Sequence, residues 1–552
     1  MLQSCPCRNC GFVNLLSPDC ERRPQAPLKA FQNSNIVAQI LRQSRTMLHP
    51  SEDASISADI LELERLQSFY EAQLQEVQLH RRAVIDALEA RRSIYAPIRR
   101  LPRDILIEIF HLVRHSWWQH INDGRRWSPV TPERQSSLRL DGPLWVLGRV
   151  CGLWRDTLHT SPASWAQNVV VRTPFPKHAR EIWKTYLKRT GEHPLTVQVV
   201  GDIERSSSVE DDEILSLFVQ ESCHRWKDVI IDVTMHHMDC LEESISRLPM
   251  LQTIDIYVNH PDENYCSNIC LKAPQLWRAM FSSLGISQVK LPPCITHYSG
   301  RITRPNDLQL LSHQSKLRVC HLQLRLRYVT PPLIPVPVIM PHIQRLFVEE
   351  TGILDLVTLP RLESLVLAMS SRERFVERRD RTTISAWINH FLQRSGCHLQ
   401  SLSMGQHILF VLGLSIHNLL ASDAFSTLSF LKVELQIDAD WADHVVQSLT
   451  PCSGAPAPLP NLFHLVLCIQ PACFHSHPVQ WHSIVNMIRA RRDAGLLKII
   501  EVQFVVWDNG FTDRNHRIEA DIRALTSDSL TMLVEEWNPP DEEHWPVWGS
   551  LQ

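Results

Sequence analysis

The chain has 552 residues, more than one ordinary domain holds, and its 44% apolar and 21% charged content is that of a globular protein. Its 56 Lys and Arg against 59 Asp and Glu leave no net basic field of the kind that draws nucleic acid or an anionic membrane.

The start, "MLQSCPCRNCGF", lacks the basic-then-apolar form of a secretion signal. The fifteen cysteines show no framework spacing, so reduced thiols in a cytoplasmic or nuclear protein are expected. Residues 1–52 are rich in Pro, Ser, Gln and Arg without periodicity and read as a disordered tail. Cys5, Cys7, Cys10 and Cys20 lie there. Zinc sites present paired knuckles, and this run matches only partly, so loose thiols are the simpler reading and zinc the alternative.

Residues 53–95 carry a heptad. Ile56, Leu63, Tyr70, Val77 and Val84 form one register; Ile60, Leu74 and Leu88 form the second, which Gln67 and Arg81 interrupt. This predicts a long helix that either pairs as a coiled coil, giving a homodimer through 56–93, or packs on its own chain. Pro97 ends it.

"LPRDILIEIF" follows from Leu101, predicting a helix from Arg103 to about Arg114 with Pro102 and Asp104 suited to its start. Ile105, Leu106, Ile107, Ile109, Phe110, Leu112 and Val113 cover roughly 220° of its circumference, beyond the ~100° stripe a surface helix buries. The next segment, "SWWQHINDGRRWSPVTPERQSSLRLDGP", reads as a loop. A second helix is predicted from Pro143, with Leu147, Val150, Cys151, Trp154 and Leu158 on one face, stopping at Ser161-Pro162.

From Val169 the texture alternates between helical stretches such as "EIWKTYLKRTG" and β-like runs such as "PLTVQVV". Apolar triplets at offsets 0, +3 and +5 recur: Trp226/Val229/Ile231, Leu251/Ile254/Ile256, Leu276/Ala279/Phe281, Leu317/Cys320/Leu322 and Ile343/Leu346/Val348. They continue through Leu362/Leu365/Leu367, Leu399/Leu402/Met404, Leu428/Leu431/Val433, Leu462/Leu465/Leu467 and Leu497/Ile500/Val502. Pro249, Pro274, Pro341, Pro360 and Pro460 each stand two residues before a triplet. Such a pattern sends a turn-entry Leu and two alternating strand residues into one interior, as leucine-rich repeats do. "ISAWINHFL" and "WHSIVNMI" supply helices between strands. A degenerate solenoid of parallel strands backed by helices is therefore expected, an ordinary α/β domain being the alternative. The longest apolar run, "ILFVLGLSI" from Ile408, is too short to span a bilayer.

No phosphate-cradling glycine loop, "GxSxG" elbow or "HExxH" occurs, and Gly is scarce at 17 residues. "HHMDC" (His236, His237, Asp239, Cys240) and "CFHSH" (Cys473, His475, His477) contain metal-ligand types, but 27 His make chance adjacency common and no second knuckle is near. A metal-dependent enzyme is thus the weakest alternative. "RERFVERRDR" from Arg372 reads as a solvated loop. No catalytic, metal or cofactor residues are expected; the sequence points to binding surfaces.

"IRRLPRDILIEIF" followed by "PLWVLGRVCGLWRDTLHTSPASW" resembles the F-box, whose pattern is Leu-Pro, paired aliphatics, Ile-Phe, Val-Cys-x-x-Trp-Arg and a closing Pro-x-x-Trp. Leu101, Pro102, Ile105, Leu106, Ile109, Phe110, Val150, Cys151, Trp154, Arg155, Pro162 and Trp165 match. The layout, with "YAPIRRLP" and "YLKRTGEHPLTV", is similar to the large F-box family of mushroom-forming fungi. Ala96 replaces the usual Ser in that layout, and Gly152 departs from the F-box pattern in mid-helix, a cost of about 1 kcal/mol against Ala. The loop between the F-box halves is also long.

The resemblance implies an F-box domain over 97–168 with an inserted loop, and a leucine-rich-repeat-like substrate-binding domain over 169–552. It implies a substrate receptor of a Skp–cullin–F-box ubiquitin ligase, not an enzyme itself, that tethers a target protein near the ligase. The Skp adaptor, and through it a cullin, would be partners. Leu101, Pro102, Ile105, Leu106, Ile109 and Phe110 would contact the adaptor, supported by Val150, Cys151 and Trp154. A non-ligase repeat scaffold that dimerises through its coiled coil is the alternative.

Overall fold

The computed structural model describes residues 35–42, 49–122, 136–201, 208–262, 264–304, 306–324, 336–368, 381–436, 440–451, 457–470, 481–505, 524–525 and 530–537. The N-terminal cysteine run, "CFHSH" and nearly all of "RERFVERRDR" lie outside them. The chain divides into two compact units, 1–102 and 103–552.

In the first unit, the expected disordered tail contains a short helix, α1 (Asn35–Arg42), and the long helix α2 spans Pro50–Ile94, starting earlier than the heptad does. A capping box sets that start: the Ser51 N–H donates to His49 Nδ1, and the Glu52 carboxylate accepts from the His49 N–H at 3.1 Å. Pro50 at the first helical position loses no useful donor. A 3-10 turn, Pro97–Arg100, follows.

The second unit opens with four helices: α3 (Arg103–Asn122), α4 (Pro143–Val150), α5 (Gly152–His159) and α6 (Pro162–Ala166). The first runs eight residues past the expected Arg114, because nothing between His115 and Asn122 breaks a helix. The single helix expected after Pro143 is instead broken at Cys151, whose backbone is extended (φ −161°, ψ 171°). Arg155 Nε, donating to the Gly148 carbonyl at 3.0 Å, occupies an acceptor that the break leaves open. Gly152 therefore opens α5, and the mid-helix penalty expected for it does not apply; a Cβ there would touch nothing within 4 Å. Part of the expected loop is also ordered. Ser137 donates its N–H to the Val170 carbonyl at 2.8 Å and accepts the Val170 N–H on Oγ at 3.0 Å.

A 14-stranded, fully parallel sheet follows, its strands adjacent in chain order. They are β1 (Val169–Arg172), β2 (Leu195–Val200), β3 (Trp226–Thr234), β4 (Thr253–Asn259), β5 (Arg278–Gly285), β6 (His297–Ile302) and β7 (Val319–Leu324). They continue as β8 (Arg345–Val348), β9 (Ser364–Leu367), β10 (Ser401–Met404), β11 (Phe430–Gln436), β12 (His464–Gln470), β13 (Ile499–Val505) and β14 (Thr531–Trp537). Right-handed crossovers between strands laid down in this order all fall on the same face. That face is the core.

The triplets are the reason. Each +3 residue pairs with the +3 residue of the next strand, a ladder of Val229, Ile254, Ala279, Tyr298, Cys320, Leu346, Leu365, Leu402, Leu431, Leu465 and Ile500. All are buried, as are the turn-entry residues from Leu251 to Leu497. The prolines sit second in tight turns closed by bonds such as Leu251 N–H to the Leu248 carbonyl and Leu462 N–H to the Leu459 carbonyl, where a fixed φ is favourable. The intervening helices include α7 (Ala179–Thr190), α8 (Val209–Ser222), α9 (Met235–Ser244), α10 (Asp307–Ser312), α11 (Arg381–Ser395), α12 (Gln406–Leu412), α13 (Ser415–Leu420), α14 (Asp440–Leu449) and α15 (Trp481–Asp493).

The triplet pattern misses three strands before its last match. β1 and β2 are valine-rich, but Ala166 and Pro194 stand where the turn-entry leucine would, three residues before the ladder residues Val169 and Val197. The third, β6, fills the long step between Leu276 and Leu317: Ile295 and Tyr298 are buried at offsets 0 and +3, but Gly300 stands at +5. A Cβ on Gly300 would collide with Tyr298 Oη and approach its Cζ to 2.8 Å, so the tyrosine ring occupies the place of the missing side chain. Gly300→Leu is accordingly expected to destabilise by about 2–3 kcal/mol through overpacking. Adding Tyr298→Leu, which restores the neighbours' pattern, should recover most of it; urea unfolding of the single and double variants checks the coupling.

Candidate functional site

On α3 the excess apolar surface resolves into two stripes. Leu106, Phe110 and Arg114, spaced by four, face inward and are buried. Ile105, Leu112 and Val113 share the adjoining stripe with half-buried Ile109, and are 43%, 67% and 42% exposed. The inward stripe packs on α4, α5 and α6. The Phe110 ring meets Trp154 of α5 edge-on, centroids 5.1 Å apart. Arg114 donates to the Ser164 carbonyl, and its guanidinium, wholly buried, is pushed below the ordinary arginine range. His111 Nε2 and Ser161 Oγ both lie within hydrogen-bond distance of Ser164 Oγ, at 2.9 and 2.8 Å.

The residues singled out in sequence therefore separate. Leu106 and Phe110 are core, closed to any partner. Ile105 is exposed, Ile109 and Trp154 are half-buried, and Val150 at the end of α4 is 57% exposed. Cys151 is half-buried at the break. Leu101 is half-buried and Pro102 exposed at the end of the first unit. Leu112, Val113 and Val146 are exposed apolar residues that the motif match omitted. Val146 lies one turn before Val150 on α4, so helical spacing alone would have found it.

A chain of rings ties these helices to the sheet. Trp145 meets Trp165 at 5.4 Å, Trp165 meets Tyr186 of α7 at 5.3 Å, and Tyr186 stacks on Trp183. Trp183 meets Phe218 of α8 at 4.6 Å, and Phe218 meets Trp226 at the start of β3. Arg189 lies over both Trp145 and Trp165, 4.3 and 4.5 Å from their centroids.

No protein-family model and no curated protein matches this chain.

The outward face of the sheet is the second candidate surface. It carries acidic Asp228, Asp232 and Asp255 on β3 and β4 beside basic Arg278, Arg301 and Arg345 on β5, β6 and β8. Burial, with Arg278 and Arg345 close by, lowers the His297 pKa to about 4, so this histidine is neutral at physiological pH. A row runs from β6 across β7 to the residue just past β8: Ser299 Oγ to His321 Nδ1 at 2.8 Å, and His321 Nε2 to Glu349 Oε1 at 3.1 Å. The row has the residue types of a hydrolytic triad. The strands that carry Ser299 and His321 pair with their neighbours along this stretch, so their backbone N–H groups serve the ladder.

"HHMDC" forms the start of α9, with His236 Nε2 2.8 Å from Asp212 Oδ2 and His237 Nδ1 2.8 Å from Thr234 Oγ1. Among the described residues no group of three or more His, Cys, Asp or Glu is placed to hold a metal ion, and no helix is long and apolar enough to cross a membrane.

Further along the outward face, burial raises the Glu434 carboxyl to about 7, against a weak contact from the Gln406 N–H at 3.3 Å. The folded chain thus keeps a proton that an unfolded one releases between pH 4.5 and 7. The resulting stability is full below pH 4.5 and is lost as pH rises through 7, by about 3 kcal/mol. Glu434→Gln should flatten that window when urea midpoints at pH 5 and pH 8 are compared with wild type.

Proposed function

We propose that this chain is the substrate receptor of a Skp–cullin–F-box ubiquitin ligase, working in the cytoplasm or nucleus. The observation that carries the reading is the second apolar stripe of α3. Its first stripe completes a small helical core, while Ile105, Leu112 and Val113, with Val146 and Val150 on α4, face solvent. A soluble chain exposes such residues together where a partner covers them. The F-box motif match names that partner as the Skp adaptor. Leu106 and Phe110 then serve as the packed support of the surface, and Ile105, Ile109 and Val150 as its contact residues.

The parallel sheet is read as the face of a degenerate leucine-rich-repeat solenoid, and its outward face, with an acidic block on β3 and β4 beside a basic one on β5, β6 and β8, as the place where a target protein docks. Side chains there stand on rigid strands, one per register position, which suits recognition of a folded surface. The receptor itself makes and breaks no bonds. It raises the concentration of target lysines near a ubiquitin-charged enzyme. The long helix α2 is read as the coiled-coil segment.

The test is capture of purified Skp adaptor by the full chain and by Ile105→Asp with Val150→Asp. Both side chains are exposed, so circular dichroism should be unchanged while affinity falls at least tenfold, about 1.4 kcal/mol. Capture as tight as wild type would refute the assignment.

A further inference from the structure

We propose that α2 pairs with the same helix of a second copy of this chain, and that the two run antiparallel. The inference rests on the coiled-coil reading of α2 and is independent of adaptor binding. At 1.5 Å per residue the 45-residue helix extends about 67 Å, and nearly all of it is exposed. Along one seam Ile60, Leu63, Tyr70, Leu74, Val77, Val84 and Leu88 are 39–57% exposed. Leu66 is buried within the chain, yet Leu63 and Tyr70 on either side of it stay open. An apolar seam of five heptads, interrupted only at Gln67 and Arg81 up to Leu88, calls for a helix of matching length and spacing, which a second copy supplies.

Two independent features choose the orientation. The first is the polar residues within the seam. In a parallel pair in register, each seam residue faces its own copy, so Arg81 would face Arg81, Arg91 would face Arg91, and Gln67 would face Gln67. Like charges would then be forced together in a desolvated core. In an antiparallel pair each position of one register faces the other register, and both arginines meet neutral seam side chains such as Leu63, Tyr70 or Ile60.

The second is the charge along the helix. Its first half holds Glu52, Asp53, Asp59, Glu62, Glu64 and Glu71 against Arg65 alone. Its last part holds Arg81, Arg82, Arg91 and Arg92 against Asp86 and Glu89. The local ion pairs of Arg65 with Glu62 and of Arg82 with Asp86 leave the acidic and basic ends unbalanced. Parallel pairing stacks acid on acid; antiparallel pairing lays the acidic end along the basic one.

The experiment uses the full chain. Sedimentation should give twice the 63.7 kDa chain mass, and Leu74→Asp with Val77→Asp should return it to the monomer mass while still capturing the Skp adaptor. Adaptor capture lost in that variant would count against independence of the two surfaces. A photoreactive benzoylphenylalanine at Leu63 then reads orientation: cross-links between copies should land within residues 81–94. Cross-links within 60–67 would overturn the antiparallel arrangement, and a wild-type monomer at micromolar concentration would overturn the pairing itself.

Discussion

Arg491→Ala should destabilise the second unit by about 3–5 kcal/mol, a loss read from urea unfolding followed by tryptophan fluorescence. Arg491 lies on α15 and is completely buried. Its Nη1 donates to the Leu449 carbonyl at 2.9 Å and the Pro458 carbonyl at 3.1 Å, and its Nη2 to the Leu459 carbonyl at 3.0 Å. Leu449 ends α14, so its carbonyl has no helical donor and depends on this side chain. Leu459 holds a left-handed backbone (φ 48°), which a leucine adopts only when its surroundings dictate it. The guanidinium fork therefore fixes the turn that leads through Pro460 into β12. Burial without a carboxylate among the described residues pushes the Arg491 pKa down to about 10, yet still leaves it charged at physiological pH. Alanine removes three charge-assisted bonds and leaves the buried Leu449 and Leu459 carbonyls and the half-buried Pro458 carbonyl to find other donors, each buried one a matter of about 1–3 kcal/mol. Lysine keeps the charge but not the planar fork, so Arg491→Lys should recover only part of the loss.

The contrast between Arg491 and the ladder residues shows what was legible in the sequence. The inner face of the sheet could be read because leucine at one spacing has one physical outcome: Leu362, Leu365 and Leu367 fall into the core as their neighbours do. β6 could not, because Gly300 breaks the pattern and the compensating ring comes from Tyr298, a residue that reads as an ordinary match at the other ladder position. The outward face was closed to sequence reasoning for a different reason. The partners of His321 and His464 are Glu349 and Glu501, one or more strands away in space and dozens of residues away in sequence, with no periodicity to join them. At the candidate site the width of the apolar arc on α3 was visible. Its division into a packed stripe and an open one was not, since that depends on which side α4, α5 and α6 take. The break at Cys151 was equally hidden, because Val-Cys-Gly contains no residue that forbids a helix.

Trp165→Ala should cost about 3–5 kcal/mol, comparable to the loss at Arg491, while leaving the proposed adaptor affinity of the folded fraction unchanged. The indole is fully buried, donates its N–H to the Leu158 carbonyl at 3.0 Å, and touches Trp145, Tyr186 and Arg189. Removing it opens a cavity where α4, α6 and α7 meet, and strands Arg189 over a single ring. Trp165→Phe keeps most of the packing and gives up the N–H bond, so about 1–2 kcal/mol is expected. Because Trp165 is on neither apolar stripe of α3, its effect must run through folding alone. Denaturation and adaptor binding measured on the same variant therefore separate two roles that the motif merges: Trp165 as support for the helices, and Ile105 and Val150 as the docking surface proposed for them. A Trp165→Ala protein that stays as stable as wild type but binds the adaptor tenfold more weakly would reverse that division. It would place the indole, not the exposed stripe, at the heart of docking.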